Sequence, residues 1–169
     1  MNRIAKAAAL VVALGLGACT DPARLGGGTN SGPGTDSSQF GDPADPASIA
    51  YFHRTVGDRV LFAVDVSELD DAARTVLDDQ SDWLNANPEY TVLIEGHADE
   101  RGTQEYNLAL GARRANSVQE YLISRGIAAN RLRVVSYGKE RPVEICSNES
   151  CYVINRRAVS VVTADIPSV

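Results

Sequence analysis

A strand-length apolar run that leads through a charged loop into a long helical repeat is the feature that most constrains this chain. YTVLIEG, residues 90–96, packs apolar residues at strand length. After Gly102, Leu108, Ala112, Ala115, Val118 and Leu122 recur at helical steps to about Arg125, and Gly126 is placed for a C-terminal cap. A strand and a helix in this order each bury one face against a shared core, as in a layered α/β domain.

The flanking sequence extends the unit. TVGDRVLFAVD, residues 55–65, bunches β-branched and aromatic residues as a strand does, and Ser67 with Asp70 three residues on predicts a helix start near Ser67. Leu69, Ala72, Ala73, Val76, Leu77, Trp83 and Leu84 keep helical spacing until Asn87-Pro88 supplies a stop. RLRVVSYG (131–138) and RRAVSVVTA (156–164) read as a third and a fourth strand. The order is βαβαββ, which predicts two main helices packed on one mixed four-stranded sheet in a domain spanning 47–169.

The first third has a different texture. Residues 1–18 combine Arg3 and Lys6 with an apolar run from Ala7 to Leu16, too short for a bilayer span of about 20 residues and suited to a removed export signal. Leu16-Gly17-Ala18-Cys19 resembles the bacterial lipobox, which predicts Cys19 as an acylated first residue of the mature chain. Residues 20–46, rich in Gly, Ser, Asp and Pro, lack the side chains that offset ordering entropy, so 19–46 reads as a lipidated tether. As a flexible coil it has a typical end-to-end distance of about 30 Å.

With Cys19 acylated, Cys146 and Cys151 remain as a pair, and an exported chain permits their disulfide. No second Cys/His pair at ligand spacing supports a metal site there. The formal net charge of −6 becomes −8 once Arg3 and Lys6 leave with the signal, an acidity that argues against a nucleic-acid partner. Membrane attachment would rest on acyl chains rather than on basic charge.

The loop after YTVLIEG concentrates the chemistry: His97, Asp99, Glu100 and Arg101, with Arg113 and Arg114 on the helix that follows. The nearby hydroxyls have no base and orienting acid legible in the sequence, so a catalytic triad has no visible support. His-x-Asp-Glu offers one imidazole and no partner motif for a metal. A solvated ion-pair network and a ligand grip both account for the cluster. A grip gains from the loop's place at the end of a strand, where α/β sheets tend to bind ligands, and from the N-terminus of the next helix, where an anion can sit. Acid and guanidinium together would suit a zwitterion.

GHADERGTQEYNLALGARRANSVQEYL, SYGKERP and NRRAVSVV resemble the OmpA-like peptidoglycan-binding family in its peptidoglycan-associated lipoprotein branch, over about residues 56–163. The resemblance implies a non-catalytic, cofactor-free domain that holds meso-diaminopimelate of peptidoglycan stem peptides. It places Asp99 on the ammonium group and Arg114 on the carboxylate, with Arg101, Thr103, Tyr106 and Asn107 lining the site and Asp65 as a further contact. Arg156 and Arg157 read instead as braces outside the site. The resemblance further implies an outer-membrane lipoprotein of the Tol-Pal system, with TolB as a partner whose surface overlaps the peptidoglycan site. The loop between Pro142 and Asn155, with its cysteine pair, departs from the family's usual pattern.

Overall fold

The computed structural model describes residues 40–164, so the signal, Cys19 and the tether as far as residue 39 lie outside the described residues. The last part of the expected tether is folded onto the domain. Trp83 Nε1 donates to the Pro46 carbonyl at 2.7 Å and Tyr90 Oη to that of Ala47 at 2.9 Å. These bonds cap two aromatic side chains that otherwise pack apolar surface.

Helix α1 (Ile49–Tyr51) continues into a wide π turn (Phe52–Val56), and Gly57 at φ 92° redirects the chain into strand β1 (Arg59–Leu61). Then follow α2 (Asp71–Ala86), β2 (Thr91–His97), α3 (Gln104–Ser124), a 3-10 turn (Ala129–Arg131), β3 (Leu132–Gly138), α4 (Glu149–Asn155) and β4 (Arg157–Thr163). The sheet order is β1-β4-β2-β3, with β2 and β3 parallel and β4 antiparallel to both β1 and β2. The expected mixed four-stranded sheet with two main helices is present. Among the described residues no helix is long and apolar enough to cross a membrane.

Three local expectations need correction. The strand expected over 55–65 contracts to Arg59–Leu61 because Phe62 to Val66 bond elsewhere. Arg156 Nε takes the Phe62 carbonyl, and Arg114 takes those of Ala63 and Val66. A backbone whose carbonyls are held by guanidinium groups needs no strand partner. Helix α2 starts at Asp71 rather than near Ser67, because the carboxylate of its N-cap Asp70 accepts from Ala73 N at 2.7 Å and caps the first turn. Helix α4, not foreseen, starts within the cysteine loop, with Asn148 capping Ser150 and Cys151 through its side chain.

Helix α3 buries Asn107, Leu110, Gly111, Arg114, Ala115, Val118 and Leu122, while Leu108, expected inside, is exposed. The early stripe is set by a close approach of backbones, since Gly111 faces Gly96 of β2 with no side chain between them. At the other end Gly126 adopts φ 96° and Ile127 N returns to the Leu122 carbonyl at 3.1 Å, burying Ile127. Phe52, Leu77, Trp83, Leu84, Val92, Ile94 and Leu122 join one core between the two helices and the sheet. Its polar intruder, Gln80, is satisfied: it donates to the Gly57 carbonyl at 2.8 Å and accepts from Ser160 Oγ at 2.8 Å.

Candidate functional site

The site lies where β2 ends. A shift in the pairing of β2 with β3 between Gly96 and His97 turns the chain out of the sheet, and Ala98 N still donates to the Gly138 carbonyl at 2.8 Å. Asp99 is thereby set in a loop closed by Gly102, whose φ of 86° suits a residue without Cβ. Thr103 caps α3 by accepting from Tyr106 N at 3.2 Å, so this N–H is already used within the protein. Asn107 Nδ2 donates to the carbonyls of Arg101 at 2.7 Å and Thr103 at 3.1 Å, which fixes the loop on the helix.

Asp65, Asp99, Arg101 and Tyr106 line a cleft of about 210 Å³ together with Val64 and Gly102. Four of the expected site residues are thus brought to one cleft; Thr103 and Asn107 lie outside its lining and fix its loop on α3, and Arg114, also outside the lining, sits fully buried on α3. Arg114 Nε donates to Val66 O at 2.9 Å, Nη1 to His97 O at 2.8 Å and Nη2 to Ala63 O at 2.9 Å. These use three of the five N–H groups of a guanidinium. Burial, with Arg156 as a second contribution, pushes Arg114 down to about 10, so it stays cationic at neutral pH. Asp65 holds the left-handed conformation at φ 57°, a local strain an acidic residue tolerates better than most.

Asp99 is almost fully buried and strongly partnered. Oδ1 accepts from Arg101 N and Nε, both at 3.1 Å, and Oδ2 accepts from Arg101 Nη2 at 2.6 Å and Arg156 Nη1 at 3.3 Å. Burial pushes the Asp99 carboxyl up, but the Arg101 bonds, then that of Arg156, outweigh it and hold the group below the usual carboxylate range. Arg156, expected outside the site, therefore touches its central acid. It also donates through Nη2 to Glu149 Oε1 at 2.6 Å. An arginine just before a strand carries no sequence signal of such a role, because Asp99 lies far away along the chain. Arg157 does brace as expected, donating to the carbonyls of Asn155 and Arg141.

His97 turns away from ligand chemistry. It is buried against Tyr137 with ring centroids 5.6 Å apart, and neither ring nitrogen has a hydrogen-bond partner among the described residues. Glu95 Oε2 stands 3.6 Å from Nε2, beyond a hydrogen bond. Burial first, then the charges of Arg157 and Arg141, push its pKa down to about 4. The unfolded chain binds this proton more readily than the folded one, so stability is full above pH of about 6.5 and declines as pH falls toward about 4. Urea unfolding should show a loss on the order of 3 kcal/mol across that window, largely absent in His97→Phe. Equal pH dependence in both proteins would contradict a neutral, buried His97.

Among the described residues no group of three or more His, Cys, Asp or Glu could hold a metal ion. What the cleft offers is two carboxylates beside guanidinium groups, an arrangement able to hold opposite charges of one ligand a few ångströms apart.

Residues 61–157 match the OmpA family. The chain is 47% identical over 156 residues to the peptidoglycan-associated lipoprotein of Rhizobium meliloti, covering 90% of this chain and 84% of that protein. It is 51% identical over 118 residues to the peptidoglycan-associated lipoprotein of Brucella melitensis, covering 70% of each. The crystal structure of the peptidoglycan-associated lipoprotein from Burkholderia pseudomallei superposes with a TM-score of 0.64 at 35% identity, covering 74% of this chain and 99% of that one. The C-terminal domain of Helicobacter pylori MotB shares the fold, with a TM-score of 0.60 at 19% identity over 64% of this chain and 85% of that one.

Proposed function

The chain belongs to the OmpA family, and from that premise we propose that it is an outer-membrane lipoprotein whose periplasmic domain binds peptidoglycan without covalent bonds. Residues 1–18 would be removed on export, Cys19 would carry the acyl chains, and residues 20–39 would tether the domain.

The observation that carries the reading is the Asp99 carboxylate, set in a cleft with Asp65 on one side and guanidinium groups around it. The side-chain end of meso-diaminopimelate bears an ammonium and a carboxylate. Asp99, seconded by Asp65, takes the ammonium group. Arg114, fully buried and outside the cleft lining, attracts the ligand's carboxylate through its charge rather than through a direct hydrogen bond. Arg101, Thr103, Tyr106 and Asn107 line or build the cleft. The chain is a binder rather than an enzyme: the cleft groups suit fixed charge recognition, and the relatives are named for association with peptidoglycan rather than for a reaction.

From the family comes a place in the Tol-Pal system, with TolB and other Tol components as partners, in support of envelope integrity and cell division. TolB and peptidoglycan would exclude one another if both use this cleft. The wall reading is tested by sedimenting the chain with purified peptidoglycan containing meso-diaminopimelate or lysine. Selective sedimentation with the diaminopimelate wall, lost in Asp99→Asn, is expected. Equal sedimentation with both walls, or none, would return the cluster to a charge network and direct the search to a protein partner.

A further inference from the structure

The Asp99 carboxylate poses a problem for its own ligand. Its oxygens already carry the bidentate guanidinium of Arg101 and a longer bond from Arg156. An incoming ammonium group must displace at least one of these donors, so affinity depends on what else holds the two arginines.

Both are held by the same short element. Helix α4 presents Tyr152, whose ring lies 4.5 Å from the Arg101 guanidinium carbon and whose hydroxyl donates to Glu100 Oε1 at 2.9 Å. One turn earlier Glu149 accepts from Arg156 Nη2 at 2.6 Å, a shorter contact than the 3.3 Å from Arg156 Nη1 to Asp99. The helix is fixed in three ways. The Cys146–Cys151 disulfide closes its entry, the Asn148 side chain caps its first turn, and buried Asn155 binds Val143 N and Glu144 N while donating to the Glu144 carbonyl.

We propose that the disulfide-stapled helix α4 sets the affinity of this site: Tyr152 and Glu149 offer Arg101 and Arg156 alternative partners to Asp99 and so make room there for the ligand's ammonium group. The proposal rests on the reading that Asp99 receives that group. Arg101 swings from the carboxylate onto a ring face that it already contacts, and a guanidinium over a tyrosine ring is a favourable station. Glu149 keeps Arg156 from turning fully onto Asp99. Tyr152 and Glu149 are positioning residues, since neither lines the cleft.

The sign of the effect separates this role from simple support of the fold. Removing either alternative partner leaves the guanidinium more firmly on Asp99. Ligand binding then weakens, and the empty protein's Asp99 becomes harder to protonate. Mere loosening of the loop would free Asp99 from both arginines and make it easier to protonate.

The test uses the full chain in detergent micelles and a soluble muropeptide containing meso-diaminopimelate, with the Asp99 carboxyl titration followed by NMR without ligand. Glu149→Gln and Tyr152→Leu are expected to bind about threefold to tenfold more weakly, with Asp99 titrating at lower pH than in the parent. Tyr152→Phe, which keeps the ring face, should recover most of the Tyr152→Leu loss. Unchanged affinity in both variants, or an Asp99 titration moved upward, would overturn the proposal. Should the parent bind no muropeptide, the recognition reading fails, while the ligand-free titration still decides whether α4 draws the arginines from Asp99.

Discussion

Arg114→Met is expected to destabilise the domain by about 3 to 5 kcal/mol, although the substituted side chain is apolar and unbranched. The guanidinium is fully buried and gives one N–H each to the carbonyls of Ala63, Val66 and His97. Methionine removes all three donors: the His97 carbonyl loses a buried bond, at a cost of about 1 to 3 kcal/mol, and the less buried Val66 and Ala63 carbonyls lose their guanidinium partner, Ala63 keeping only Val66 N at 3.4 Å. Loss of a buried charge recovers part of that sum, because the burial that pushes Arg114 down to about 10 is itself unfavourable to the cation. Arg114→Lys should be little better, since one ammonium centre lacks the planar fork that reaches three carbonyls. Urea unfolding measures the loss, and amide exchange should rise first over residues 62–66, which Arg114 and Arg156 hold in place. A loss under about 1 kcal/mol would mean that the loop finds other donors. The consequence for function is that Arg114 variants test folding and recognition together, so they make poor probes of binding alone.

Gly96→Ala should be at least as severe, destabilising by about 3 kcal/mol or more. A Cβ at Gly96 would overlap the carbonyl oxygen and carbon of Gly111, and the Cβ of Ala115 would lie 3.2 Å away. The opposing partner is helix backbone, which cannot rotate aside as a side chain can. The reciprocal change, Gly111→Ala, would press on the Gly96 carbonyl at 2.8 Å and on the Ser136 hydroxyl, which bonds the Leu108 carbonyl. Either substitution drives α3 away from β2, the strand whose end carries Asp99. The expected result is a lower unfolding midpoint together with weakened ligand binding in whatever fraction remains folded. Retention of the parent's midpoint by both variants would show that helix and sheet are less closely apposed than Gly96 and Gly111 imply.

Much of this architecture is legible in the residues. Period-two and period-3.6 patterns are local, so the strands near residues 91 and 132, the long helix to Ser124 and its glycine cap stand out before any fold is known. The contraction of β1 is not local. It follows from Arg114 and Arg156, far along the chain, capturing carbonyls of residues 62–66. The same long-range bonding hides Arg156 from a reading of motifs and turns Leu108 outward once Gly111 takes the inner face. Asp99, Arg101 and Tyr106 share one short segment, and their gathering in a cleft is therefore easy to anticipate. Asp65 comes from a different part of the chain, and the resemblance alone points to it. Helix α4 is not legible because seven residues in a loop give little periodicity, and what defines it is a disulfide, the contact of Glu149 with its own C-cap Arg156, and the contacts of Tyr152 with the remote Arg101 and Glu100.

The pH behaviour separates the two buried titratable groups near the site. His97 lowers stability as pH falls from about 6.5 toward about 4. Asp99, held below its ordinary value, contributes stability above that value and loses it only as pH falls further, through its folded-state titration. Ligand binding should therefore persist through the range in which the fold first weakens, and fail when Asp99 is protonated.

The most direct measurement is a calorimetric titration of the chain with two soluble muropeptides that differ only in the third stem residue, meso-diaminopimelate or lysine, repeated with Asp99→Asn. Recognition of both charges predicts at least about tenfold tighter binding of the diaminopimelate form, equivalent to about 1.4 kcal/mol, and weaker binding of both muropeptides by the variant, because lysine shares the ammonium group and lacks only the carboxylate. Equal affinity for the two muropeptides would contradict a site built around an ammonium and a carboxylate held together.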